Sequence, residues 1–111
     1  MSKKTKLEQY IAEKLKKIDK RVRPTRASGA STEIGDIYSN YFFVECKEKH
    51  TNKNIIMDYN KEYLKLINQM PVNTKKEAFI AIENKSGEKF IVMEAEAFFR
   101  LVYRAFEGKE K

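Results

Sequence analysis

Residues 35–47, GDIYSNYFFVECK, place Ile37, Tyr38, Tyr41, Phe42, Phe43 and Val44 around the dipeptide Ser39-Asn40. Aromatic and β-branched side chains favour strands, and Ser and Asn favour turns. Residues 36–39 and 41–47 therefore read as a β-hairpin turning near Ser39-Asn40. A lone hairpin is marginal in water, so other segments must extend the sheet and cover it.

Several segments have the right periodicity. In residues 5–19, Leu7, Tyr10, Ile11, Leu15 and Ile18 fall on one arc of roughly 140° of a helical wheel, which predicts an amphipathic helix. From Lys20 to Ile34 the pattern stops, and Pro24, Gly29 and several Ser and Thr predict a loop of unusual length. A short apolar run, Ile55-Ile56-Met57, leads to Asp58, a good N-cap for a helix through about Gln69 that Pro71 and Asn73 end. Residues 77–84, EAFIAIEN, alternate as a strand; KSGEK is a turn and residues 90–94, FIVME, its hairpin partner. The last segment, residues 94–106, is a helix whose apolar residues cover about 200° of the wheel, more than one core contact needs. The order is helix, hairpin, short strand, helix, hairpin, helix, an α/β or α+β domain with a central sheet flanked by helices.

A chain of 111 residues with 41% apolar residues supports a single domain, residues 1–111, with frayed tails at 1–6 and 107–111. No apolar run nears the roughly 18 residues of a membrane span, no secretory leader is evident, and the single Cys46 forms no internal disulfide. These features predict an intracellular, cytoplasmic protein. Cys46 reads as a small core-side residue and His50 as an exposed loop residue.

The net charge of +7 is unevenly placed. Residues 1–26 carry ten Lys or Arg against Glu8, Glu13 and Asp19, which leaves the other 85 residues neutral. Such a segment grips a polyanion through its phosphates; a solvated basic helix is the simpler alternative.

The end of the hairpin carries the chemistry. Side chains alternate along a strand, so Glu45 and Lys47 share one face and Val44 and Cys46 the other. A tight turn brings Asp36 beside Glu45, so two carboxylates and an ammonium converge, at a cost unless a cation relieves the repulsion. Mg²⁺ suits such hard oxygen ligands, and Mn²⁺ can substitute. The competing account is a surface salt bridge of little energetic weight.

Gly35-Asp36, eight intervening residues and then Glu45-Cys46-Lys47 resembles the PD-(D/E)XK nuclease motif with Gly35 in the place of its proline. The order of elements over residues 5–106 resembles the archaeal-type Holliday junction resolvases and their phage relatives. The resemblance implies a restriction-endonuclease-like α/β fold with a central mixed sheet. It implies an Mg²⁺-dependent endonuclease acting on four-way junctions or other branched DNA, in which Asp36 and Glu45 hold the metal and Lys47 is base or charge stabiliser. It also implies a further acid from the first helix. Glu8 lies at the edge of the apolar arc and Glu13 opposite it, so Glu8 is the expected third metal ligand. The loop residues Arg26 and Ser28, with Arg23 as the alternative arginine, are expected on DNA phosphate, together with Lys17, Lys20 and Arg21. Symmetric cutting of a junction calls for a homodimer, for which the wide apolar face of the last helix is the candidate interface. A phage or viral source fits so compact a version. Two rivals remain: a nucleic-acid-binding module without catalysis, and a nicking or restriction-type nuclease acting on duplex DNA.

Overall fold

The computed structural model describes residues 6–25, 35–49 and 58–107. The elements are α1 (Lys6–Leu15), β1 (Arg23–Pro24), β2 (Ile37–Tyr38), β3 (Phe42–Lys49), α2 (Tyr59–Gln69), β4 (Glu77–Asn84), β5 (Lys89–Val92) and α3 (Ala95–Glu107). They form an α/β domain around one five-stranded mixed sheet of order β1-β2-β3-β4-β5. The first three strands are an antiparallel meander, β3 and β4 run parallel across the α2 connection, and β5 folds back antiparallel on β4. The expected strand at residues 55–57 lies outside the described residues. Among the described residues no helix is long and apolar enough to cross a membrane.

The alternation of β3 divides the core in two. Val44, with Phe42 and Cys46 at its margins, packs towards Leu7, Ile11 and Ala12 of α1. On the opposite face Phe43 packs with Ala78 against Leu66 of α2, flanked by Tyr63, Ile67 and Met70. With a helix on each face, β4 is buried along its whole length. Its polar residues are paired: Glu77 receives both Nε and Nη2 of Arg100 at 2.7 and 2.9 Å, and Glu83 lies 3.1 Å from Lys89. The Arg100 fork ties α3 to the sheet and holds the Glu77 carboxyl below its usual pKa.

Two expectations need revision. The long loop after α1 contains β1, a two-residue strand that adds an edge to the sheet. Ile18 is 61% exposed rather than packed, because regular helix ends at Leu15 and tight turns through Ile18 and Asp19 rotate it out of the apolar arc.

Asp19 locks this turn to the hairpin. Its carboxylate accepts from the backbone N–H of Asn40 at 2.7 Å, Asn40 Nδ2 at 3.0 Å, the backbone N–H of Arg21 at 3.1 Å and Ser39 Oγ at 3.4 Å. Ser39 Oγ in turn accepts from the N–H groups of Tyr41 and Phe42. These bonds, the Asn40 N–H foremost, hold the buried Asp19 carboxyl below its ordinary pKa against the opposing effect of desolvation. Its contribution is therefore complete above the ordinary carboxylate pKa and fades as pH falls through the lowered value. Asp19→Ala is expected to cost about 2 kcal/mol in urea unfolding at neutral pH. The gap should narrow in strong acid; a constant gap from neutral to strongly acidic pH counts against a charged Asp19 hub.

Candidate active site

Asp36 enters the site through the geometry of its neighbour. Gly35 has a φ of +76°, and a Cβ there would run into the Val44 carbonyl oxygen. Only glycine combines that backbone angle with so close an approach. With β2 pressed against β3, the Asp36 N–H donates to the Val44 carbonyl at 2.7 Å and Ile37 pairs with Val44. On the other side, the Thr25 N–H donates to the Asp36 carbonyl and Thr25 Oγ1 to the Gly35 carbonyl, both at 2.9 Å. The Asp36 side chain then folds over β3, where Oδ2 accepts the Cys46 N–H at 2.8 Å.

Glu45 and Lys47 lie on the α2 side of β3. Lys47 Nζ stands 3.4 Å from Glu45 Oε2 and 3.2 Å from Glu62 Oε1, a residue in the first turn of α2. Burial, then the charge of Asp36, raises the Glu45 pKa against the pull of Lys47. Desolvation works to lower the Lys47 pKa, but the hydrogen bond to Glu62 and the charge of Glu45 outweigh it and the net direction is up. Lys47 is thus a firmly protonated ammonium bridging two acids. The Cys46 thiol is pushed up by burial and by the charges of Asp36, Glu8 and Glu45, so it is a poor nucleophile.

Glu8 is half-buried on α1 and Glu13 is exposed. The charge of Glu8 reaches the Cys46 thiol, which packs on the α1 side of β3, whereas Glu45 and Lys47 occupy the α2 side. Among the described residues no three His, Cys, Asp or Glu side chains converge as one metal-holding group. The structure brings together Asp36, Glu45, Lys47 and Glu62, with Glu8 near but not joined in a compact cluster. As donors, Asp36 and Glu45 fit a hard divalent cation: both present carboxylate oxygens, and the repulsion that raises the Glu45 pKa is the kind a cation relieves.

Of the expected DNA contacts, Lys17, Lys20 and Arg21 are exposed around the Asp19 turn. Arg23 stands on β1 with its guanidinium 5.0 Å over the Tyr38 ring. Arg26 and Ser28 lie outside the described residues. Glu62 is a site residue that sequence reasoning does not reach, though a signal exists: it precedes the buried Leu66 by one helical turn and so shares its sheet-facing side.

Comparison with protein-family models, curated proteins and solved structures gives no match for this chain.

Because its folded pKa is raised, ionisation of Glu45 opposes folding, and stability falls as pH rises from the ordinary carboxylate range through the raised value. Asp36→Asn removes the repelling charge and keeps an oxygen for the Cys46 N–H. It is expected to raise the thermal midpoint by a few degrees at neutral pH, with the gain vanishing in acid where Glu45 is protonated. A midpoint at neutral pH equal to or below that of the wild type contradicts electrostatic strain at this corner.

Proposed function

We propose that this chain is a divalent-metal-dependent endonuclease of the restriction-endonuclease-like fold, acting on branched DNA such as four-way junctions. The observation that carries the reading is the convergence of Asp36, Glu45 and Lys47 at one corner of the sheet, in the spacing of the resembled nuclease motif. The order of α1, an antiparallel three-strand meander, α2 and a parallel β4 is in keeping with it.

In this reading Asp36 and Glu45 hold Mg²⁺ or Mn²⁺. The ion, when bound, supplies a water of lowered pKa and a positive charge for the phosphodiester. Glu45 is oriented by Lys47, and Asp36 by the Cys46 N–H. Lys47, with its raised pKa, keeps its proton at neutral pH and so serves as a charge stabiliser and donor to a phosphate oxygen rather than as a base. Glu62 positions that ammonium. Glu8, on the other side of β3, is an acid for the approach to the site. Arg23, Lys17, Lys20 and Arg21 hold backbone phosphates without reading bases.

The test is incubation of labelled four-way junctions and linear duplex of the same sequence with Mg²⁺, Mn²⁺ or EDTA. Wild type should cut the junction only with metal, and Asp36→Asn, Glu45→Gln and Lys47→Met should each lose about a hundredfold or more in rate. Binding without cutting under any metal makes the chain a binding module. Equal cutting of duplex makes it a nicking or restriction-type enzyme.

Cutting both strands of a junction symmetrically takes two such sites, hence a homodimer. Phe98, Phe99, Tyr103 and Phe106 of α3 are each 45–68% exposed, and Phe99 stacks against Tyr103 with ring centroids 6.2 Å apart. Ala97 is the one buried residue of this helix, so its apolar face is largely uncovered. By light scattering the wild type should have twice the 13.1 kDa chain mass, and Phe99→Asp should have the single mass. An unchanged mass in Phe99→Asp removes α3 as the interface.

A further inference from the structure

The acid pair lies at one end of the β2–β3 hairpin, and a second feature lies at the other. The turn at Asn40-Tyr41 borders a cleft of about 920 Å³ whose rim includes Ile18, Tyr41, Lys75, Lys76 and Arg104. None of its described lining residues is acidic. Tyr41 is 54% exposed, yet its backbone is fixed: its N–H donates to Ser39 Oγ at 3.0 Å and its carbonyl accepts the Glu77 N–H at 3.1 Å. An aromatic ring left open on a rigid turn, next to cations, is the pairing by which proteins stack an unpaired base and hold its phosphate.

Two further observations tie the cleft to the acid pair. Lys76 Nζ lies 5.2 Å over the Tyr38 ring and 4.9 Å over Phe43, and Arg23 lies 5.0 Å over Tyr38. This interleaved row of cations and rings runs on the α2 side of the sheet, the side of Glu45 and Lys47. Along β3, Phe42 at the cleft and Glu45 are three residues apart, about 10 Å. Phe42 faces α1 and Glu45 the α2 side, so it is Lys76, reaching from the cleft over Phe43, that joins the two. Lys17, Lys20 and Arg21 are exposed in the turn that carries Ile18, a residue of the cleft rim, and that Asp19 bonds to Asn40. Basic residues from three separate parts of the chain therefore gather at this end, although residues 27–111 as a whole are neutral. Arg104 also lies 3.8 Å from Glu77, a long pairing on a mostly exposed side chain that leaves its other nitrogens for a ligand.

We propose that this cleft takes an unpaired nucleotide of the DNA, with its base stacked on Tyr41 and its flanking phosphates on Lys75 and Arg104. The proposal rests on the nucleic-acid reading above but not on catalysis. It supplies a reason for branched over linear DNA, because a junction or its opened arms offer unstacked bases and a continuous duplex does not.

The chain contains no tryptophan, so Tyr41→Trp provides a single reporter. With EDTA present, titration with short oligo-dT should quench the indole fluorescence of that variant, and fully paired duplex should quench it far less. Tyr41→Ala should weaken oligo-dT binding about tenfold by anisotropy, with unchanged circular dichroism. Lys75→Gln with Arg104→Gln should reduce the salt slope of log K by about 1.4, two single-strand phosphate contacts. Oligo-dT binding that leaves the Tyr41→Trp variant unquenched, a Tyr41→Ala affinity within twofold of wild type, or equal displacement by polyglutamate overturns the proposal. Metal-dependent cutting with no Tyr41 effect refutes the cleft and leaves the nuclease standing. Tyr41-dependent binding with no cutting does the reverse.

Discussion

The approach of Gly35 to the Val44 carbonyl sets the position of everything at the acidic corner. It lets the Asp36 N–H reach Val44 at 2.7 Å and fixes Ile37 opposite Val44. Strand side chains alternate, so a slip of one residue would send Ile37 out of the core and turn Asp36 away from Glu45. The core and the site thus share one register. The same register lines Tyr38 up beneath Arg23, since Arg23 pairs with Tyr38 across β1 and β2.

That corner carries an energetic load that the rest of the sheet offsets. Burial, and after it the charge of Asp36, raises the pKa of the half-buried Glu45, and Lys47 is shared between Glu45 and Glu62 instead of neutralising one acid. Elsewhere charges are matched: Glu77 with Arg100, Glu83 with Lys89, and Asp19 with four donors. A carboxyl perturbed by burial and by a neighbouring acid is the kind of group found at functional sites, which is in keeping with the proposed metal site.

Much of the architecture was legible in the sequence because it is local. The β3 and β4 runs, the Asp58 cap whose carboxylate accepts the Lys61 N–H, and the turn leading into β5 each depend on neighbours within a few residues. The nearness of Asp36 to the Glu45 end of β3 was legible too, since a tight hairpin folds a separation of nine residues, read from the sequence, back on itself. What escaped depends on distant segments. β1 is two residues long and includes Pro24, too short for any periodicity, and exists because the β2 edge accepts it. Glu62 meets Lys47 only through the parallel crossover of α2. The gathering of Lys75, Lys76 and Arg104 with the basic turn after α1 is invisible to charge counted along the chain, where neighbouring acids cancel it.

The central claim is that Asp36 and Glu45 share a divalent cation, and paramagnetic broadening tests it without DNA or turnover. Substoichiometric Mn²⁺ added to ¹⁵N-labelled protein should first broaden the amides of Asp36, Glu45 and Cys46, with excess Mg²⁺ reversing the effect. The selective broadening should be absent in Asp36→Asn and Glu45→Gln. Broadening centred on other residues, or unchanged in those two variants, would contradict a metal site at this corner.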